Sequence, residues 1–343
     1  MVFHLGVLRI MAERGALEDV QRISTVSGGS LLVGLMYQEA GMKWPTSEQF
    51  LSAVYPSLRR KLCSNSLQWG AFRQLFQVQN WRFILSRANL LAMSLRHHWG
   101  ITANLSDVAS LPEWSINGAT AENGRRFRFK SDSIGDYALG YAAPGDFPLA
   151  NALAVSAAFP GGFGPLQLDT RKFQWRKRAT WGAAIDEAQP VDVGYSQLHL
   201  YDGGVYDNLG LEPFFDAGKG QSKYPGELIV VSDAGAPLRT GFSFFALNPW
   251  RLKRVADIMS DQARALRVRT FAHYLQRGPF HGAYLYINTP VSKGRPCTSA
   301  SFAAGFPTTL RKLHLSEFDA LADHGYRVAL QVEAQYGLFK QNA

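Results

Sequence analysis

The run Ser24-Thr25-Val26-Ser27-Gly28-Gly29-Ser30 sets Ser27 among small residues, between Ile23 and the apolar stretch Leu31-Leu32-Val33-Gly34-Leu35-Met36. A serine on a sharp strand-to-helix turn is exposed for attack on a carbonyl carbon, which is acyl-transfer chemistry. A helix starting just beyond it offers N–H groups and a partial positive charge to a developing oxyanion. The usual form of such a turn is Gly-x-Ser-x-Gly, and here Thr25 stands at the first glycine position. Glycine is expected where backbone crowds backbone. A plain Ser/Gly-rich turn explains the same residues, so this run alone leaves both readings open.

A carboxylate is the second candidate. Tyr201-Asp202-Gly203-Gly204-Val205-Tyr206-Asp207-Asn208 follows Leu198-His199-Leu200, which reads as a short strand, so Asp202 is expected at a strand end on a tight turn. Taken alone, Asp-Gly-Gly is an ordinary turn signal. The third segment, Ala154-Val155-Ser156-Ala157-Ala158-Phe159-Pro160-Gly161-Gly162, reads as a small-residue helix or turn stopped by Pro160. Its side chains suit close packing, and no chemistry is assigned to it.

In this order the three segments resemble the patatin-like phospholipase family. Phe3-His4-Leu5-Gly6-Val7-Leu8 is similar to its first helix, and Ile116–Thr120 with Gly124–Phe129 to its central hairpin. Asp207-Asn208-Leu209-Gly210 is similar to the turn after its aspartate. Pro307–Leu310, Phe318–Leu321 and His324-Gly325-Tyr326 are similar to the C-terminal helical stretch of bacterial members. The resemblance implies an α/β fold with a mostly parallel central sheet. It also implies a Ser–Asp dyad rather than a triad, with Ser27 as nucleophile and Asp202 as the residue that orients and deprotonates it. An aspartate has a pKa near ~4 and is a weak base, which burial beside Ser27 would strengthen. The implied substrate is a phospholipid or another acyl ester, cleaved through an acyl-enzyme without metal or cofactor.

The sequence departs from the family at its start. The resemblance places a first strand and a Gly-Gly-Gly-x-Arg/Lys-Gly oxyanion loop just before the helix that begins near Phe3, and neither precedes Met1. Two readings follow: a start placed too far downstream, which is the simpler, or a truncated protein. Losing one oxyanion donor costs ~100- to 1000-fold in rate, so the chain as written is expected to be a poor catalyst. A missing strand would leave an unpaired sheet edge and a marginal fold. The alternative function is a catalytically impaired homologue that binds membranes or partners.

The remaining sequence must position these residues. The 343 residues, 46% hydrophobic, are enough for a sizeable core, and no linker, repeat or low-complexity tract divides them, so one domain is expected. Strand-like runs at Gly226–Ser232 and Ala283–Ile287 alternate with helical ones at Arg254–Tyr274 and Leu315–Tyr336. The alternation argues for a sheet covered by helices on both faces. Residues 42–100 read as a helical insertion. Its Trp44, Phe50, Leu67, Trp69, Phe72, Leu75, Phe76, Trp81 and Phe83 would serve either a cap over the site or ordinary core packing, and the second is the simpler reading.

Cys63 and Cys297 fit neither a disulfide framework nor a metal site, which favours a reducing, cytoplasmic setting. Arg9 interrupts the N-terminal apolar run, so no signal peptide is expected there, although a lost upstream segment could hide one. No window reaches the ~18 apolar residues of a membrane span, leaving a soluble or peripheral chain. The formal net charge of +9 calls for a partner. Arg171-Lys172-Phe173-Gln174-Trp175-Arg176-Lys177-Arg178, with Trp181, would rest on an anionic membrane or else form a solvated loop. Nucleic acid is disfavoured, because no binding motif accompanies the charge. His273, His281, His314 and His324 follow Asp202 and would permit a triad order, though structural roles are expected. His4 is expected near the mouth of the pocket by analogy with the family, Asn117 and Arg125 in the hairpin, and Asp233 in a turn.

Overall fold

The computed structural model describes residues 1–67, 87–158, 164–180, 187–241, 250–278, 281–291 and 298–339. Their contacts group them into two compact units, Glu18–Tyr206 with Thr309–Leu313, and Met1–Leu17 with Asp207–Thr308 and His314–Ala343.

Among the described residues the first unit holds nine strands: β1 (Arg22–Thr25), β2 (Glu113–Thr120), β3 (Arg126–Phe129), β4 (Ile134–Asp136), β5 (Gly140–Ala142), β6 (Leu166–Asp169), β7 (Arg176–Lys177), β8 (Gln189–Pro190) and β9 (Gln197–Asp202). They form one sheet in the order β6-β9-β2-β3-β4-β5-β7-β8, with β1 paired to β2. Every pairing along that path is antiparallel, and only β1 runs parallel to its neighbour. The expected mostly parallel sheet is therefore corrected. The reason is in the connections: β2 to β5 are joined by residues 121–125, 130–133 and 137–139, all far shorter than a parallel crossover requires.

The helix Leu149–Ser156 packs on β2, β6 and β9. Its approach is set by glycines on both sides. A Cβ at Gly118 would lie 2.8 Å from Val155, and one at Gly34, on the helix Gly28–Glu39, would lie 2.5 Å from Leu153. Aromatic rings fill the sheet's buried face, with Phe127, Phe129, Phe147, Phe173 and Trp175 in successive contact. Trp175 is thus turned inward, while Arg171, Lys172, Gln174, Arg176 and Lys177 of this basic segment are exposed; Trp181 lies outside the described residues. Between positions 42 and 100, the helices Tyr55–Ser64 and Arg87–Trp99 bury Leu58, Leu62, Leu90, Leu91, Leu95 and Trp99. Phe50 and Leu67 are also buried, while Trp69, Phe72, Leu75, Phe76, Trp81 and Phe83 lie outside the described residues.

In the second unit the helix Val2–Glu13 packs against Leu315–Tyr336. Two glycines let the backbones touch, since a Cβ at Gly6 would lie 2.0 Å from the Ala322 carbonyl and one at Gly325 2.0 Å from that of Phe3. Short strands β10 (Phe215–Asp216) and β11 (Gln221–Ser222) form a hairpin, and β12 (Ile229–Asp233) pairs with β13 (Gly282–Tyr286) in parallel. The helix Trp250–Leu275 is fixed to this pair by Arg264, whose guanidinium donates to the buried Asp233 at 2.6 and 2.8 Å. Phe271 and Tyr274 from the same helix join Leu211, Phe215, Ile229 and Val231 in a small core. Among the described residues no helix is long and apolar enough to cross a membrane.

Candidate active site

The site is built where two strands end against a shared neighbour. Strand β1 runs beside β2 from Arg22↔Glu113 to Thr25↔Ile116. Strand β9 approaches from the opposite direction and stops at Asp202↔Gly118. Since β3 occupies β2's other edge from Ile116 to Ala119, β1 and β9 lie end to end on the same edge, with Asn117 between their termini. Ser27, two residues past β1, and Asp202, the last residue of β9, are brought together in this break. The Ser27 side chain lies beside the Asp202 carboxylate, close enough to favour its ionised form.

Ser27 caps the N-terminus of Gly28–Glu39 with φ 49° and ψ −123°, a backbone conformation that non-glycine residues rarely hold and that costs ~1–3 kcal/mol. The surroundings enforce it. The Ser27 amide donates to both oxygens of Ser156, the carbonyl at 3.0 Å and Oγ at 3.1 Å. The Asp202 amide donates to the Ala158 carbonyl at 3.1 Å. One helix end thus grips both members of the pair.

Asn117 and Ser156 bridge the break. Ser156 Oγ donates to the Asn117 carbonyl at 2.7 Å and lies 2.8 Å from Ser30 Oγ. The Asn117 amide donates to the Thr25 carbonyl and to Ser24 Oγ, both at 2.9 Å. Arg126 in turn donates to Asn117 Oδ1 at 3.1 Å. The side chains satisfy backbone groups that the interrupted ladder leaves without strand partners. Gly203 completes the fit: a Cβ there would stand 2.5 Å from the Asn117 carbonyl oxygen.

Two sequence expectations about the turn are refined. Thr25, at the position of the usual first glycine, is buried and used: its hydroxyl accepts from Trp114 Nε1 at 2.9 Å and from Ser30 at 2.8 Å. Gly29 is not crowded, since a Cβ there would find nothing nearer than Thr25 Cβ at 3.9 Å. The steric demand falls on Gly203 instead.

Burial dominates the electrostatics. It raises the Asp202 carboxyl from 3.8 to about 7, against the lowering effect of the Gly204 amide, which donates to Oδ1 at 2.7 Å, and of the Ser27 hydroxyl. A carboxylate tuned this way is a far better proton acceptor near neutrality than an exposed aspartate.

The other candidates have local roles. His4 is tied to Ser232 Oγ at 2.6 Å, and desolvation holds its pKa well below the usual value. His324 is buried with Nε2 2.6 Å from the Ile287 carbonyl, His281 stacks on Tyr274, and His314 caps the helix Leu315–Tyr336, while His273 lies in the helix Trp250–Leu275. Arg125 lies over the Tyr137 ring, and it is the next residue, Arg126, that reaches Asn117. Asp233 does accept from a turn amide, Gly235, but it also binds Arg264 and Tyr284. Phe159-Pro160-Gly161-Gly162 lies outside the described residues. Among the described residues no group of three or more His, Cys, Asp or Glu side chains could hold a metal ion. Ser156, Ser30 and Arg126 were not singled out by sequence reasoning as parts of the site. Only Ser30, three residues beyond Ser27 on the same helix face, carried a spacing signal.

A serine strained at a strand-to-helix turn beside a buried carboxylate is an arrangement suited to acyl transfer. The family model described as patatin-like phospholipase matches residues 1–215, and the chain belongs to that family. The family supports hydrolysis of lipid acyl esters in general. No match was found among curated proteins.

Proposed function

We propose that the chain is a serine acyl hydrolase that cleaves lipid acyl esters, phospholipids included, with Ser27 as nucleophile and Asp202 as general base. In this mechanism Ser27 Oγ attacks the ester carbonyl carbon while its proton passes to Asp202. The tetrahedral intermediate collapses, the alcohol leaves with that proton, and an acyl-enzyme remains. Asp202 then takes a proton from water, which attacks the acyl carbon; as this second intermediate collapses, Ser27 Oγ takes that proton back and the acid is released. The Gly28 amide, in the first turn of its helix, is a donor for the oxyanion.

The observation that carries the reading is the strained Ser27 turn set beside a buried carboxylate raised to about 7. The carboxylate occupies the place that an imidazole takes in a triad. Fluorophosphonate labelling, with the modified peptide mapped by mass spectrometry, tests it. Label on Ser27 that disappears in Asp202→Asn is the expected result. A folded chain that takes no label, or a label that survives Asp202→Asn unchanged, counts against it.

A further inference from the structure

Among the described residues, the helix Trp250–Leu275 is anchored by its C-terminal half. Arg264, Phe271 and Tyr274 fix its C-terminal half, whereas from Arg251 to Ala263 no side chain is buried. The outward face of the helix carries a row of large apolar side chains that continues past Ala263 to Leu266. Leu252 is 82% exposed, Val255 53%, Met259 67% and Leu266 60%. At 3.6 residues per turn these four fall within a sector of about 60°, and at 1.5 Å per residue they run for about 21 Å. The exposed Ile258 widens the stripe on one side. A row of this kind is not the scatter of single apolar residues that every surface carries.

Charge identifies what fits it. The helix carries Arg251, Lys253, Arg254, Arg264, Arg267 and Arg269 against Asp257 and Asp261, and of these Arg264 and Arg267 face Asp233 and Asp207 at 2.6 and 3.6 Å. Asp257 is engaged by Lys253 at 2.6 Å, and Asp261 lies 3.9 Å from Arg264. Arg251 and Arg269 border the stripe on the Val255 side, and Lys253 lies beyond Leu252. Folding this face onto a second copy of itself would bring these cations against like cations. A surface that is apolar below and anionic above satisfies both features, with the long cationic stems lying alongside the apolar stripe.

We propose that this helix docks the chain on an anionic lipid bilayer, with Leu252, Val255, Met259 and Leu266 entering the headgroup boundary and the flanking cations meeting lipid phosphates. The docking does not depend on Ser27 or Asp202, and its test is read without hydrolysis.

The test is co-sedimentation of the full chain with diether-lipid vesicles, of phosphatidylcholine alone or mixed with phosphatidylglycerol. Binding to the mixed vesicles is expected, falling several-fold when salt is raised from ~0.1 to ~0.5 M as screening shortens the reach of the cations. The double variant Leu252→Asp/Met259→Asp should bind at least about tenfold more weakly. Its circular dichroism should be unchanged, since both side chains are exposed. Wild-type chain that ignores the mixed vesicles, or a double variant that binds them as well as wild type does, overturns the proposal. So does a wild-type dimer that the double variant converts to monomer, which would make the face a contact between copies.

Discussion

Replacing Asp202 with asparagine should strengthen the fold while ending the chemistry, and the gain should depend on pH. The carboxyl titrates near 3.8 in an unfolded chain and at about 7 in the folded one. At roughly 1.4 kcal/mol per pH unit, that gap amounts to about 4 kcal/mol held against the ionised form. A folded pKa raised above the unfolded value means that the native state binds more protons between the two. Stability from this group is therefore present below pH ~4 and is lost as pH rises through about 7. Asparagine cannot ionise and escapes the loss. Urea denaturation of wild type and Asp202→Asn at pH 5, 6, 7 and 8 should show the variant gaining about 2–3 kcal/mol on wild type across that range. Hydrolysis by wild type should rise with pH around the same midpoint, near 7. A stability difference that stays flat from pH 5 to 8 would refute the reasoning, because Asp202 would then not be desolvated.

Three further outcomes follow from the same geometry. Ser27→Gly should abolish fluorophosphonate labelling while raising stability by roughly 1 kcal/mol, since glycine holds φ 49° without strain and thermal unfolding would register the gain. Ser156→Ala removes one acceptor of the Ser27 amide and the donor to the Asn117 carbonyl, so it should cost about 1–3 kcal/mol in denaturant titrations. Labelling of the variant that remains folded should also slow. Gly203→Ala should destroy labelling, because its Cβ would meet Asn117 O at 2.5 Å, whereas Gly29→Ala, with 3.9 Å of clearance, should keep it.

The sequence marked out the local elements well and their assembly less well. Ser27 and Asp202 stood out because small residues and turn signals surround each one. The helix Leu315–Tyr336 was legible from its apolar periodicity, and its bounds agree with the structure. The sheet's direction differs from the family expectation, and a local signal favours the observed one: a hairpin at Ile116–Phe129 already implies antiparallel neighbours. The support around the pair was largely hidden. Asn117, Ser156 and Arg126 matter because β1 and β9 stop at adjoining positions on β2, and register of that kind is fixed by tertiary packing. Thr25 illustrates the same limit. Its hydroxyl finds Trp114, a residue that only the β1–β2 pairing brings alongside.

The end-to-end meeting of β1 and β9 also sets when the proposed chemistry can begin during synthesis. A nascent chain that has emerged through β2 carries Ser27 on its turn but has no base, because Asp202 closes β9 far later in the sequence. Ser156, which clamps the serine amide, emerges in between. In this reading, the growing polypeptide stays chemically silent toward nearby lipid until nearly the whole first unit has been translated. A prematurely terminated chain lacking Gln197–Asp202 would therefore be harmless as a hydrolase, even if its serine turn formed.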